Sequence, residues 1–305
     1  MTKTMKAVQL SSYGGPEVLE LKDVPIPEAA PGRVLVKVRA TSVNPGEINI
    51  RVGALKDIYP MDFPFGEGSD LAGEVVAVGD GVSEFAPGDA VFGWTDERAA
   101  HAEYVSVPAA QLARIPAGLS FEQAGSLYVI GATAVAGVAA LRLQPGETVV
   151  ISAAAGGVGV LATQLAVRTG ARVLALASPS NHGWLRDHGA EPLAYDNDLA
   201  SALQGADAFL DLFGGGYVAL ALDELGIPKE RVNTIIDFAA VSERGVLSVG
   251  NAEGARIENL VALADDVANG RLDLPIAKTY PLANVRDAFE ELAARHTHGK
   301  IVLVP

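Results

Sequence analysis

Residues 148–177 constrain the fold more than any other stretch of this 305-residue chain. Residues 148–152 are short and apolar enough for a buried strand, 158–169 have the length and pattern of a helix, and 172–177 form a second apolar run. Strand, glycine-rich turn, helix and strand in about 30 residues make a βαβ unit, because parallel neighbours need a crossover and a helix supplies it. Further strands are expected at 208–212 and 233–238 and a helix at 257–269, so the fold class is α/β with a doubly wound parallel sheet.

The turn itself reads Ser152-Ala153-Ala154-Ala155-Gly156-Gly157-Val158-Gly159. Against the Gly-x-Gly-x-x-Gly pattern it supplies Ala154, Gly156 and Gly159, with alanine in the first place. Gly156 permits backbone to approach a diphosphate, Gly159 permits close packing of helix on strand, and the helix N-terminus offers free N–H groups. A glycine cluster alone is compatible with a plain tight turn. Inside a βαβ unit it points to a dinucleotide held by Ala155, Gly156, Gly157, Val158 and Gly159.

Sites specific for NAD end the second strand with Asp or Glu, which bonds the ribose hydroxyls and repels a 2′-phosphate. Here that strand runs out into Leu176-Ala177-Ser178-Pro179-Ser180-Asn181. With no carboxylate in place, the expected cofactor is NADPH, and Ser178, Ser180 and Asn181 are the neutral donors for its phosphate.

The first 120 residues have another texture, with β-rich segments at 6–9, 33–40, 72–78, 90–92 and 103–107 separated by Gly and Pro. That spacing predicts a compact, mostly antiparallel barrel. Ser120-Phe121-Glu122-Gln123 is a helix start with a capping box. The tail offers a strand at 276–280, a helix at 282–296 and a strand at 300–304. The expected domains are therefore 1–122, completed by 274–305, and 123–273.

Composition removes several function classes. The chain has no cysteine, which excludes disulfides, thiolate nucleophiles and cysteine-ligated metal. A formal charge of -14 with no visible basic cluster opposes binding to a nucleic-acid backbone. No apolar run reads as a membrane span and residues 1–10 lack a signal-peptide core, so a cytoplasmic protein with no membrane partner is expected.

Several ordered motifs together resemble the zeta-crystallin-like quinone oxidoreductases, a zinc-free branch of the medium-chain dehydrogenase/reductase superfamily. They are Ser42-Val43-Asn44-Pro45-Gly46-Glu47, Gly68-Ser69-Asp70-Leu71-Ala72-Gly73-Glu74-Val75, Phe85-Ala86-Pro87-Gly88-Asp89, the alanine-glycine turn and Gly299-Lys300-Ile301-Val302-Leu303. The resemblance implies a GroES-like barrel beside a Rossmann domain, with the cofactor in the cleft between them and a homodimer formed through the Rossmann sheet. Zinc-dependent relatives place a cysteine near the position of Asn44 and a His-Glu pair at Ser69-Asp70. A catalytic zinc needs about three protein ligands, so no metal is expected. His296 and His298 at a helix end read as solvated.

Without a metal, the fitting reaction is hydride transfer from NADPH to a quinone or an α,β-unsaturated carbonyl. By the resemblance, Asn44 lies beside the nicotinamide and holds the substrate oxygen or the nicotinamide ribose; the residues alone allow a loop-capping role equally. Tyr59 and Tyr128 are the other catalytic candidates, as donors to developing oxygen charge, and Trp94, Phe63 and Phe238 are candidate walls for a flat substrate. Core packing is the plainer reading of all these aromatics. The family also brings Tyr195 to the adenosine-side phosphate, although the residue alone reads equally as a strand-end tyrosine, and sets a loop containing Phe213 and Gly214 beneath the cofactor. The segment 230–237 departs from the family's glycine-rich pattern and leaves Asp237 open between a cap, a polar contact and a solvated side chain. Two other functions fit the same residues: an enoyl-thioester reductase, which needs a cationic surface this acidic chain does not advertise, and an NADPH-binding sensor or structural protein with little turnover.

Overall fold

The computed structural model describes residues 3–57, 59–195 and 198–305. The chain forms two compact units, one of Met1–Val129, Leu260–Arg271 and Pro275–Pro305, the other of Ile130–Asn259 and Leu272–Leu274.

In the first unit the expected β-rich segments become β1 (Thr4–Leu10), β3 (Arg33–Ser42), β5 (Asp70–Val78), β6 (Ala90–Trp94) and β7 (Tyr104–Pro108). Three strands not foreseen join them: β2 (Glu20–Pro25), β4 (Phe65–Gly66) and β8 (Leu112–Arg114). Antiparallel pairing of β3 with β5 and β7, and of β5 with β6, wraps apolar alternate residues around a core of Val34, Val36, Val38, Leu71, Val75, Val91, Val105 and Val107. The last strands of the chain, β14 (Ile276–Pro281) and β15 (Lys300–Val304), belong to the same sheet, since β15 pairs antiparallel with the end of β3. A second core forms where helix Val285–Ala293 sets Phe289 against Leu10, Leu19, Ile50 and Ile301.

The second unit holds, among the described residues, a five-stranded parallel sheet: β9 (Thr148–Ile151), β10 (Arg172–Leu176), β11 (Glu191–Leu193), β12 (Ala208–Asp211) and β13 (Val232–Thr234). Its order is β11-β10-β9-β12-β13, so the chain winds outward from β9 in one direction and then in the other. The strands are nearly continuous apolar runs, as a sheet covered on both faces requires.

Some boundaries differ from the sequence reading. The strand expected at 233–238 stops at Thr234, and Phe238 opens a helix, Phe238–Arg244, whose N-cap is Asp237. An Asp three residues before a bonded N–H satisfies a helix start better than it continues a strand. The expected helix 282–296 is a single 3-10 turn, Leu282–Asn284, followed by Val285–Ala293. Residues 45–51, not assigned from sequence, form helix Pro45–Arg51, although Asn44, Pro45 and Glu47 are an N-cap, an N1 proline and a capping-box acid in the right order.

Candidate dinucleotide site and the buried polar network of the barrel

Helix Gly157–Arg168 starts directly after the turn that follows β9, with Gly156 as an N-cap that has no side chain to close it. The N–H groups of Gly157, Val158 and Gly159 therefore have no side-chain cap at the helix start, which suits a diphosphate. Gly159 is obligatory: a Cβ there would lie 2.1 Å from the carbonyl oxygen of Ala153. The turn achieves this approach with Ala153 in the left-handed region at φ 48, a conformation that costs a non-glycine residue about 1–2 kcal/mol. Ala155 is buried, while Gly156, Gly157 and Val158 are partly open.

At the end of β10, Ser178 is half-buried and precedes a 3-10 turn, Pro179–Asn181, that carries exposed Ser180 and half-buried Asn181. The next residue, His182, has its Nε2 3.1 Å from the carbonyl of Ala177. No carboxylate stands on this segment. Tyr195 follows β11, with its hydroxyl donating to Leu176 O (3.2 Å) and its ring 6.0 Å from that of Phe213. Phe213 is half-buried and Gly214 buried, and Gly214, Gly215 and Gly216 all take positive φ, a sharp bend open only to glycine without strain. Phe238 is 51% exposed, at the start of its helix.

The barrel unit contains a polar core that sequence reading missed. Asn44 is buried, and its amide joins two charges: Lys300 Nζ donates to Oδ1 (2.7 Å) and to the carbonyl of Val43 (2.9 Å), while Nδ2 donates to Asp70 Oδ2 (2.8 Å). Asp70 also accepts from the Ser42 hydroxyl (2.6 Å) and from the backbone N–H of Val129 (2.8 Å). Burial raises the pKa of Asp70 and lowers that of Lys300, while their mutual attraction favours the charged forms. With oxygen toward the ammonium and NH₂ toward the carboxylate, the amide has only one consistent orientation.

A second cluster lies nearby in the same unit. Glu67 is fully buried, pairs with Arg98 (2.5 Å) and lies 3.7 Å from Arg51, whose guanidinium stacks over Phe289 at 4.4 Å. Burial, then the adjacent Glu47, push Glu67 up to about 7. Burial also lowers the pKa of His101, whose Nε2 lies 3.2 Å from Ser42 O. Neither cluster has a local sequence signature, because its members come from segments tens to hundreds of residues apart.

Of the other catalytic candidates, Tyr128 is buried with its ring stacked on Trp94 (4.8 Å, 4°), and Tyr59 is 52% exposed. Phe63 packs edge-on against Tyr13. Among the described residues no three His, Asp or Glu side chains converge as a metal site, and no helix is long and apolar enough to cross a membrane.

A parallel sheet wound outward from a glycine turn, in one chain with a mostly antiparallel β unit that its C-terminal strands extend, defines the medium-chain dehydrogenase/reductase class of nicotinamide-dependent oxidoreductases. Residues 30–117 match the family described as alcohol dehydrogenase GroES-like domain, and 187–303 that described as zinc-binding dehydrogenase. The chain is 33% identical to a quinone oxidoreductase of Pseudomonas aeruginosa, over 98% of this chain and 99% of that one. It is 31% identical to the chloroplastic NADPH-dependent alkenal/one oxidoreductase of Arabidopsis thaliana, over 99% of this chain and 80% of the relative. The structure of the quinone oxidoreductase from Coxiella burnetii superposes with a TM-score of 0.89 at 32% identity, covering 99% of this chain and 100% of that one. The chain belongs to the quinone oxidoreductase family of this superfamily.

Proposed function

We propose that the chain is an NADPH-dependent, zinc-independent reductase of quinones and α,β-unsaturated carbonyls, acting in the cytoplasm as a homodimer. The observation that carries the cofactor half is the end of β10, where the chain leaves Leu176 into Ala177 and Ser178 with no carboxylate. A 2′-phosphate meets hydroxyl and amide donors at Ser178, Ser180 and Asn181, without the repulsion an NAD-specific site would impose. The named NADPH dependence of the Arabidopsis relative supports the same choice. The acceptor half is supported by the names of both relatives and by the residues at the zinc-ligand positions of the superfamily, here Asn44, Ser69 and Asp70. The dimer rests on family resemblance.

Bound NADPH would supply the hydride. The chain's own residues divide the remaining work. The uncapped start of helix Gly157–Arg168 receives the diphosphate, Phe213 and Gly214 form a floor, and Tyr195 contributes an aromatic face toward adenosine. Asn44, with its amide engaged at both ends, serves the reaction by fixing the backbone of residues 42–47, while Tyr59 is the catalytic candidate whose side chain remains accessible to an acceptor.

A panel of quinones, enals, enones, enoyl thioesters and alcohol/NADP⁺ pairs tests this reading, followed by cofactor absorbance and with 4-deuterated NADPH and NADH. Turnover with quinones or enones, faster with NADPH, is expected. Efficient alcohol oxidation, or no hydride transfer to any activated acceptor, would sink it; selective turnover of enoyl thioesters would replace the substrate class.

A further inference from the structure

We propose that Asp211 is the positioning residue of the dinucleotide site: its buried carboxylate holds together the chain turns that leave β9, β12 and β13. The inference rests on the dinucleotide reading above and concerns how that site keeps its shape.

Asp211 is the last residue of β12 and is fully buried. Its Oδ1 accepts three hydrogen bonds, from the Ser152 hydroxyl (2.8 Å) and from the backbone N–H groups of Phe213 (3.0 Å) and Gly214 (2.9 Å). Its Oδ2 accepts from the Thr234 hydroxyl (2.9 Å). Ser152 is the residue at which β9 passes into the glycine turn, and its oxygen in turn accepts from Leu212 N–H (2.8 Å). Thr234 ends β13, and its oxygen accepts from Asp237 N–H (3.0 Å), which leads into the cap of helix Phe238–Arg244.

The central pair, β9 and β12, is where the chain reverses its direction of winding, and ligands of doubly wound sheets bind outside the carboxyl ends of the strands at that point. One carboxylate therefore fixes the entry of the diphosphate turn and the Phe213–Gly216 bend on either side of the reversal. Only an ionised Asp supplies this set of bonds. It meets two hydroxyl donors and two N–H donors, so every partner donates, and a carboxylate is the acceptor-only group that takes four such bonds. An Asn would turn an NH₂ group toward at least one of those donors.

The test uses the full chain and compares wild type, Asp211→Asn and Ser152→Ala. NADPH and NADH dissociation constants are measured by calorimetry, the fold is checked by circular dichroism and thermal midpoint, and steady-state constants are taken with one quinone. Asp211→Asn is expected to weaken NADPH binding about ten- to hundredfold, in line with the loss of charged hydrogen bonds, and Ser152→Ala about tenfold. Both variants are expected to raise the KM for NADPH by a larger factor than they lower kcat. If both variants keep the wild-type NADPH affinity within twofold, or lose kcat with the NADPH KM unchanged, the proposal is wrong. Should Asp211→Asn fail to fold, Ser152→Ala decides by the same criteria. A wild-type chain that binds neither cofactor overturns the dinucleotide reading and this inference together, whereas a wild type that binds while both variants bind equally well overturns the inference alone.

Discussion

At the scale of single residues, two positions of the dinucleotide turn act for different reasons. Gly159 has no room for a methyl group, since the obstacle 2.1 Å away is the backbone carbonyl of Ala153, which no rotamer change removes. Gly159→Ala is expected to destabilise the protein by about 1–3 kcal/mol, as overpacking does, and to weaken NADPH binding at least tenfold, checked by urea unfolding and cofactor titration. Ser178 works through what it lacks. Ser178→Asp adds a negative charge where the 2′-phosphate is proposed to lie, so NADPH affinity should fall about tenfold or more while NADH affinity holds or improves. Equal wild-type affinities for the two cofactors would remove the basis of that expectation.

At the scale of elements, an amide between two buried charges ties together strands of the first unit. Lys300 opens β15, Asp70 opens β5, and Asn44 caps helix Pro45–Arg51, so the three side chains join segments that meet only in the folded state. Lys300→Met leaves the Asp70 carboxylate buried without its cation and is expected to cost about 3–5 kcal/mol. Adding Asp70→Asn to it should recover part of that loss, because removing both charges is less costly than stranding one. Chemical denaturation of the two single variants and the double variant checks this, and additive losses would show that the charges are not coupled. In the other unit, β13 is only three residues long, and its outer edge is closed by a bridge to Leu247 and by Asn233, whose amide donates to Val249 O (2.9 Å) and accepts from Val249 N–H (2.8 Å).

At the scale of the whole molecule, stability should carry the signature of Glu67. Its pKa rises on folding from the usual 4.5 to about 7, so folding takes up a proton between those values. The contribution of Glu67 is therefore complete below about pH 4.5, declines through the window up to about 7 and is lost above it. His101, lowered by burial, contributes with the opposite sign, and its share is lost as pH falls. The difference between wild type and Glu67→Gln isolates the first effect: wild type should lose stability relative to the variant as pH rises from 5 to 8, and a parallel pair of profiles would refute it.

The sequence by itself determined the parallel sheet, the glycine turn and the absent carboxylate at the end of β10, because periodicity, turn chemistry and a missing acid are local properties that any chain of this order displays. It also contained the start of helix Pro45–Arg51 in the run from Asn44 to Glu47. Only the tertiary structure decided which polar residues would be buried together. Asn44 reads in sequence equally as a ligand contact or a loop cap; it caps helix Pro45–Arg51, and its amide is engaged by Lys300 and Asp70, which lie 256 and 26 positions away. Asp211 falls in the strand expected at 208–212, where it enters the loop beneath the cofactor with no role of its own in the sequence reading, and is the common acceptor of three strand ends. A buried charge is stable only where partners converge on it, and convergence is a property of packing rather than of local sequence.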